Sequence, residues 1–223
     1  MEKKNYTLFG DAASRVLFLQ LADEHDSGLM DSEAAALREL TGHADWCIAA
    51  VPVDDWNRDL TPWHADPVFG RQSFGDGAAR TLKALTEGVI PAIEREYPAA
   101  NRAYVLCGYS LAGLFALWAA YQTDLFAGIV AASPSVWYRD WIAYAGEHAI
   151  RTPKVYLSLG DREEKARNPV MASVGNAIRE QHRLLRNAGI TCRLDWNPGN
   201  HFADSDRRIA RGMAWMLAAL SRD

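Results

Sequence analysis

One stretch constrains this chain more than any other: Ala103-Tyr104-Val105-Leu106-Cys107-Gly108-Tyr109-Ser110-Leu111-Ala112-Gly113. The unbroken apolar run over 104–107 reads as a strand covered on both faces of a parallel sheet. The small and apolar residues from 111 to 120 read as a helix. A strand passes into a helix this abruptly only where the neighbours of the turn are small. Gly108 stands two before Ser110, Ala112 two after, and Gly113 follows. Such a turn lifts the Ser110 side chain clear of the sheet, the geometry of a nucleophile elbow. Ala112 replaces the usual second glycine and is still small enough for close strand–helix approach. The plainer alternative is an ordinary helix N-cap serine. The strand before, the helix after and the small residues on both sides favour the elbow.

The rest of the chain alternates in the same way. Strand patterns cover 6–9, 15–21, 46–51, 127–132, 155–159 and 190–196. Helix patterns cover 32–40, with Ser32 as cap and Gly42 as stop, then 77–96, 168–187 and 204–221. Residues 22–27 read as a polar loop. Pro91 should kink or split the 77–96 helix, because it cannot donate to the carbonyl of Glu87. Alternation of this kind gives an α/β fold with a mostly parallel sheet and helices on both faces. The chain has 223 residues, the length of one such domain. A segment at about 52–77 has no clear period, yet its tryptophans, with Phe69 and Phe74, argue against disorder; an ordered loop over the sheet is expected. Residues at about 135–148 read as a short helix or lid.

Composition excludes several classes. The net charge is −4 with no basic cluster, which argues against a nucleic-acid partner. The apolar runs are too short to span a bilayer, so no membrane role is expected. Met1-Glu2-Lys3-Lys4-Asn5-Tyr6 has no apolar signal core, and Cys47, Cys107 and Cys192 read as reduced residues in apolar strands. Together these point to a cytoplasmic protein. No Cys/His spacing suggests a metal, and no cofactor is expected.

In parallel α/β sheets, function gathers in loops beyond the carboxyl ends of the strands. Four such loops carry reactive residues: 22–26, Ser110, 161–164 and His201. An ester carbonyl needs a nucleophile stronger than neutral serine. A histidine can take its proton, and a carboxylate can hold the ring. Ser110, then Asp161 or Glu163, then His201 follow one another in the order nucleophile, acid, base. Glu163 is favoured as the acid, because the chain has begun to turn by that position and its longer stem can reach the His201 loop. Asp161 is the alternative and Glu164 a third choice. His25 and His64 are lesser candidates for the base. The oxyanion hole needs two backbone donors, expected from Leu111 and from the loop at Ala22 and Asp23. Trp56, Trp63, Tyr109, Trp137 and Trp141 are placed near the mouth of the site as candidate substrate contacts.

With these residues placed, the sequence resembles the esterase branch of the α/β-hydrolases, which includes esterase D-like, feruloyl-esterase-like and enterochelin-esterase-like enzymes. The likeness runs from about 15 to 220. Gly108–Gly113 is similar to its nucleophile motif, and Ser133-Pro134-Ser135-Val136-Trp137 to the loop after its next strand. Leu85-Thr86-Glu87-Gly88-Val89-Ile90-Pro91 resembles its helix before the elbow, and Pro198-Gly199-Asn200-His201 its histidine loop. The resemblance implies a single α/β-hydrolase domain and a serine carboxylesterase acting on a small or medium acyl ester. An acyltransferase on the same residues, or a non-catalytic relative that binds a ligand or partner, would be built on the same frame.

Overall fold

The computed structural model describes residues 5–222. Residues 1–4 and 223 lie outside it, and with them most of the N-terminal stretch examined for a signal. The His25 side chain, one of the lesser base candidates, also lies outside the described part.

The chain runs β1 (Thr7–Gly10), β2 (Val16–Ala22), α1 (Glu24–Thr41), β3 (Cys47–Pro52), α2 (Trp56–Asp59), α3 (Ala78–Ala84) and α4 (Ile90–Glu96). It continues through β4 (Ala103–Tyr109), α5 (Ser110–Gln122), β5 (Phe126–Ala132), α6 (Trp141–Glu147), β6 (Lys154–Gly160), α7 (Pro169–Ala172), α8 (Val174–Asn187), β7 (Thr191–Asn197) and α9 (Ser205–Leu220). The strands form one sheet in the order β1-β3-β2-β4-β5-β6-β7, antiparallel only at β1–β3. The interior strands are apolar on both faces because both faces are covered. Leu17, Leu19, Leu106, Ile129 and Leu157 face a core layer shared with α4, α5, α6 and α8. Phe18, Ile48, Val105, Val130 and Tyr156 face the opposite layer, against α1 and α9. β7, at the edge, alternates instead and carries Arg193 and Asp195, charges that discourage further strand pairing.

α5 lies in the centre. Every residue from Leu111 to Tyr121 is buried, as a helix apolar on all sides requires. It carries Ser110 at its first position and leaves the sheet at the middle of the strand order.

The structure departs from the sequence reading in four places. The segment read as a polar loop at 22–27 is mostly helix. α1 starts at Glu24, and the Asp23 carboxylate caps it by accepting from the Asp26 N–H at 2.8 Å. Ser32 is therefore mid-helix, and its hydroxyl donates to Asp206 instead. The 77–96 helix is divided into α3 and α4 by a change of helix type rather than at Pro91 itself. It passes through a π turn at Leu85–Val89, just before Pro91, which absorbs the donor that Pro91 lacks. The 168–187 helix is broken at Ser173 into α7 and α8. The region 135–148 becomes regular helix only from Trp141, whose ring is fully buried against Tyr121 and Tyr144.

The long segment at 52–77 is ordered. It contains α2, and Ala65 and Phe74 bridge to each other across it. Phe74 is buried and packs edge-on against Tyr138. Among the described residues, no helix is long and apolar enough to cross a membrane.

Candidate active site

The elbow is as tight as its small residues suggest. Ser110 has φ 56°, a left-handed conformation that costs a non-glycine residue about 1–3 kcal/mol. A Cβ on Gly108 would lie 2.2 Å from the Ala112 carbonyl carbon, so only glycine fits there. The serine hydroxyl leaves the carboxyl end of β4 and faces an open cavity.

His201 lies in the turn after β7, and its Nε2 is 3.0 Å from Ser110 Oγ. Its Nδ1 is 2.7 Å from Glu163 Oε2. A carboxylate can only accept, so Nδ1–H donates to Glu163 and Nε2 is left to accept from Ser110. Glu163 opens the 3-10 turn Glu163–Lys165 just beyond β6. Its side chain is almost fully buried, while that of His201 is 23% exposed and so accessible from the cavity. Burial alone would raise the Glu163 pKa. The hydrogen bond and charge of His201, with bonds from Ser133 Oγ and the Gly160 N–H, outweigh it and hold the carboxyl below its ordinary value.

The two other carboxylates proposed for the acid role are occupied elsewhere. Asp161 is exposed, and it accepts the Gly199 N–H at 2.9 Å, bracing the histidine turn. Glu164 pairs with Arg179 at 2.9 Å. His64 lies exposed in the 52–77 segment, where its carbonyl accepts from Arg139.

Three residues missed by the sequence reading complete the arrangement. Arg208 in α9 is fully buried. Its Nη1 donates to Glu163 Oε1 at 3.0 Å, to Ser133 Oγ and to the Tyr109 hydroxyl. Its Nη2 donates to the carbonyls of Pro198 and Asn200. One guanidinium thus ties the Glu163 carboxylate to the turn that carries His201. Ser133 donates to the same Glu163 oxygen, Oε1, leaving Oε2 to His201, and Ser135 Oγ is 3.3 Å from Ser110 Oγ. A signal for Arg208 was present: it shares an i, i+4, i+8 stripe with Gly212 and Met216, on the buried face of an amphipathic helix. Ser133 and Ser135 were noticed only as part of a motif.

Leu111 is the second residue of α5, and no side chain caps that helix. Its N–H is among the first four of the helix, which have no intrahelical acceptor. Asp23, at the end of neighbouring β2, lines the same cavity as Ser110. Ala22 does not line it. It is buried, and its carbonyl accepts from the Val53 N–H.

That cavity measures about 410 Å³ and is walled by Trp56, Phe69, Tyr109, Trp137, Met171 and Phe202. Of the candidate substrate contacts, Trp56, Tyr109 and Trp137 line this cavity. The Tyr109 hydroxyl, however, is turned away to donate to the His201 carbonyl at 2.7 Å, and burial pushes its pKa up to about 12. Trp63 and Trp141 do not line the cavity. Trp63 packs on Tyr138 and Tyr144 and donates to the Arg139 carbonyl, while Trp141 donates to Gln181 inside the core. Aromatic character alone does not separate a wall from a packing residue. Among the described residues, no group of three or more His, Cys, Asp or Glu side chains could hold a metal ion.

The family model described as Putative esterase matches residues 32–205. Among solved structures, the chain resembles an IroE-like serine hydrolase from Shewanella oneidensis at 18% identity and TM-score 0.76, over 96% of this chain and 75% of that one. It also resembles the siderophore hydrolase EstA from Aspergillus nidulans at 22% identity and TM-score 0.69, over 94% and 84% of the two chains. The enterobactin esterase FES from Shigella flexneri matches at 16% identity and TM-score 0.67, over 96% of this chain and 60% of that one. The shared fold is a single α/β domain around a seven-stranded, mostly parallel sheet.

Proposed function

The chain belongs to the putative esterase family and is a carboxylic-ester hydrolase, and from that premise we propose that Ser110, His201 and Glu163 cleave a small or medium acyl ester through an acyl-enzyme. The observation that carries this reading is the unbroken run of hydrogen bonds Ser110–His201–Glu163, at 3.0 and 2.7 Å. His201 Nε2 takes the serine proton as Oγ attacks the acyl carbon. The negative oxygen that develops is received by the N–H groups of Leu111 and Asp23, aided by the positive end of α5. His201 returns the proton to the leaving alcohol, and water repeats the sequence to release the acid. Glu163 stays ionised throughout, holding the ring in the required tautomer and offsetting the imidazolium charge. The aromatic walls of the cavity suit an apolar or aromatic group beside the ester. The neighbours named as a siderophore hydrolase and an enterobactin esterase make siderophore esters a natural class to screen.

A fluorophosphonate probe, followed by peptide mapping, should label Ser110 in the wild-type protein and nothing in Ser110→Ala. p-Nitrophenyl butyrate turnover should disappear in the same variant. Wild-type-like turnover in a folded Ser110→Ala protein would overturn the assignment. Product analysis with added alcohol separates hydrolysis from acyl transfer.

A further inference from the structure

We propose that the alcohol half of the ester carries an anionic group, held in a basic subsite beside His201; this rests on the esterase reading above. Two cavities meet at the histidine. The first, described above, holds Ser110, Asp23 and Asp26. The second, about 320 Å³, shares Trp137, Met171, His201 and Phe202 with it but is lined by Arg162, Lys165 and Arg167, with Glu163 as its one carboxylate and neither aspartate. Phe202, 87% exposed and edge-on to the His201 ring, stands in both walls.

The charge of the second cavity is uncompensated. The segment 161–167 contains three acids and three bases. Yet Glu163 is bonded to His201 and Arg208, Glu164 is paired with Arg179, and Asp161 is turned to the Gly199 N–H. Arg162, Lys165 and Arg167 have no carboxylate partner among the described residues. Three cations therefore surround a concavity that opens onto the base.

The chemistry decides which half of the substrate enters it. Ser110 Oγ bonds to the acyl carbon as the bond from that carbon to the alcohol oxygen breaks. The serine proton passes through His201 Nε2 to that oxygen, which leaves as a neutral hydroxyl group. The leaving oxygen must then lie within hydrogen-bond reach of Nε2, so the alcohol extends on the His201 side. The acyl group remains over Ser110, in the cavity that contains Asp23 and Asp26, where a second negative charge is disfavoured. A carboxylate or phosphate on the alcohol meets the opposite field, and arginine is suited to hold either. The subsite is partly open to water, so its effect is moderate: three exposed cations together amount to about tenfold.

The test compares 4-(butanoyloxy)benzoate with the neutral 4-(butanoyloxy)benzamide. The ratio of their kcat/KM values in the wild-type protein is set against the ratio in Arg162→Gln/Lys165→Gln/Arg167→Gln. Intrinsic leaving ability cancels in that comparison. The anionic preference should fall about tenfold in the triple variant; an unchanged ratio would overturn the subsite. A second arm needs no turnover. Calorimetric binding of 4-hydroxybenzoate, 4-hydroxyphenyl phosphate and 4-hydroxybenzamide to Ser110→Ala should favour the two anions, with the advantage shrinking at about 0.5 M salt. The tighter anion identifies the group that the subsite takes. Equal affinities for all three would overturn the proposal. Tight anion binding by a wild-type protein that hydrolyses neither ester would uphold the subsite and overturn the ester chemistry instead.

Discussion

Replacing Arg208 with methionine tests how the site is held together. The side chain is 1% exposed and makes five hydrogen bonds, to Glu163, Ser133, Tyr109, Pro198 and Asn200. Methionine fills much of the volume but offers no donor. Glu163 keeps His201, Ser133 and the Gly160 N–H but loses its buried countercharge, and two carbonyls lose their donor. Breaking a buried ion pair from one side costs about 3–5 kcal/mol. One effect runs the other way: Arg208 Nε is itself buried without a partner, and methionine removes that burden. The expected loss is therefore at the low end, about 3 kcal/mol. At about 3 °C per kcal/mol for a domain of this size, Tm should fall by about 9 °C. The Pro198–His201 turn also loses its anchor, and a small misplacement of His201 should lower kcat by about 100-fold while KM for a neutral ester changes little. Both are measured well below the new Tm, by thermal melting and by p-nitrophenyl butyrate kinetics. Because Arg208 acts through Glu163 and the turn, its loss should cost much less kcat in a Glu163→Gln background. A variant with Tm within about 2 °C of wild type and kcat within about threefold would refute the reasoning.

Other outcomes follow from the same geometry. Glu163→Gln should lower kcat by at least about 100-fold, and Asp161→Asn, which removes only a brace on the turn, by far less; the reverse ranking in steady-state kinetics would move the acid to Asp161. Ser110→Gly should be inactive yet melt above Ser110→Ala, because glycine relieves the φ of 56° while alanine keeps the strain. Burial raises the Glu33 pKa to about 8, so between the ordinary carboxylate value and about 8 the folded protein holds a proton that the unfolded chain releases. Stability from this group is present in acid and lost as pH rises through that window, and Glu33→Gln should flatten the fall in Tm; an equally steep fall in the variant would assign it to other groups.

The fold was largely legible because its signals are strong and local. The interior strands are unbroken apolar runs, and Gly108, Ser110 and Ala112 leave the elbow almost no other conformation. The start of α1 was not legible. Glu24, Ser27 and Gly28 are exposed and supply no apolar period, and the residue that starts the helix is the Asp23 cap. The π turn before Pro91 was hidden for a similar reason. The sequence shows that a donor is missing but not whether a helix answers by bending or by widening its ladder.

The site divides along the same physical line. Ser110, His201 and Glu163 could be placed because each follows a recognisable strand, so their order along the chain carries spatial information. Arg208 has no such address. It lies in the middle of a closing helix, where an arginine is ordinarily taken for solvated surface, and only its stripe with Gly212 and Met216 turns it inward. That position serves a purpose the strand loops cannot. The proposed acid and base come from turns beyond β6 and β7, both at one end of the sheet. A buried guanidinium from α9 reaches the Glu163 carboxylate and the carbonyls of Pro198 and Asn200 at once. It fixes the distance between Glu163 and His201 through a helix that is itself packed on β4, β5 and β6. The geometry of the proposed triad is thereby carried by the core rather than by the loops in which its residues lie.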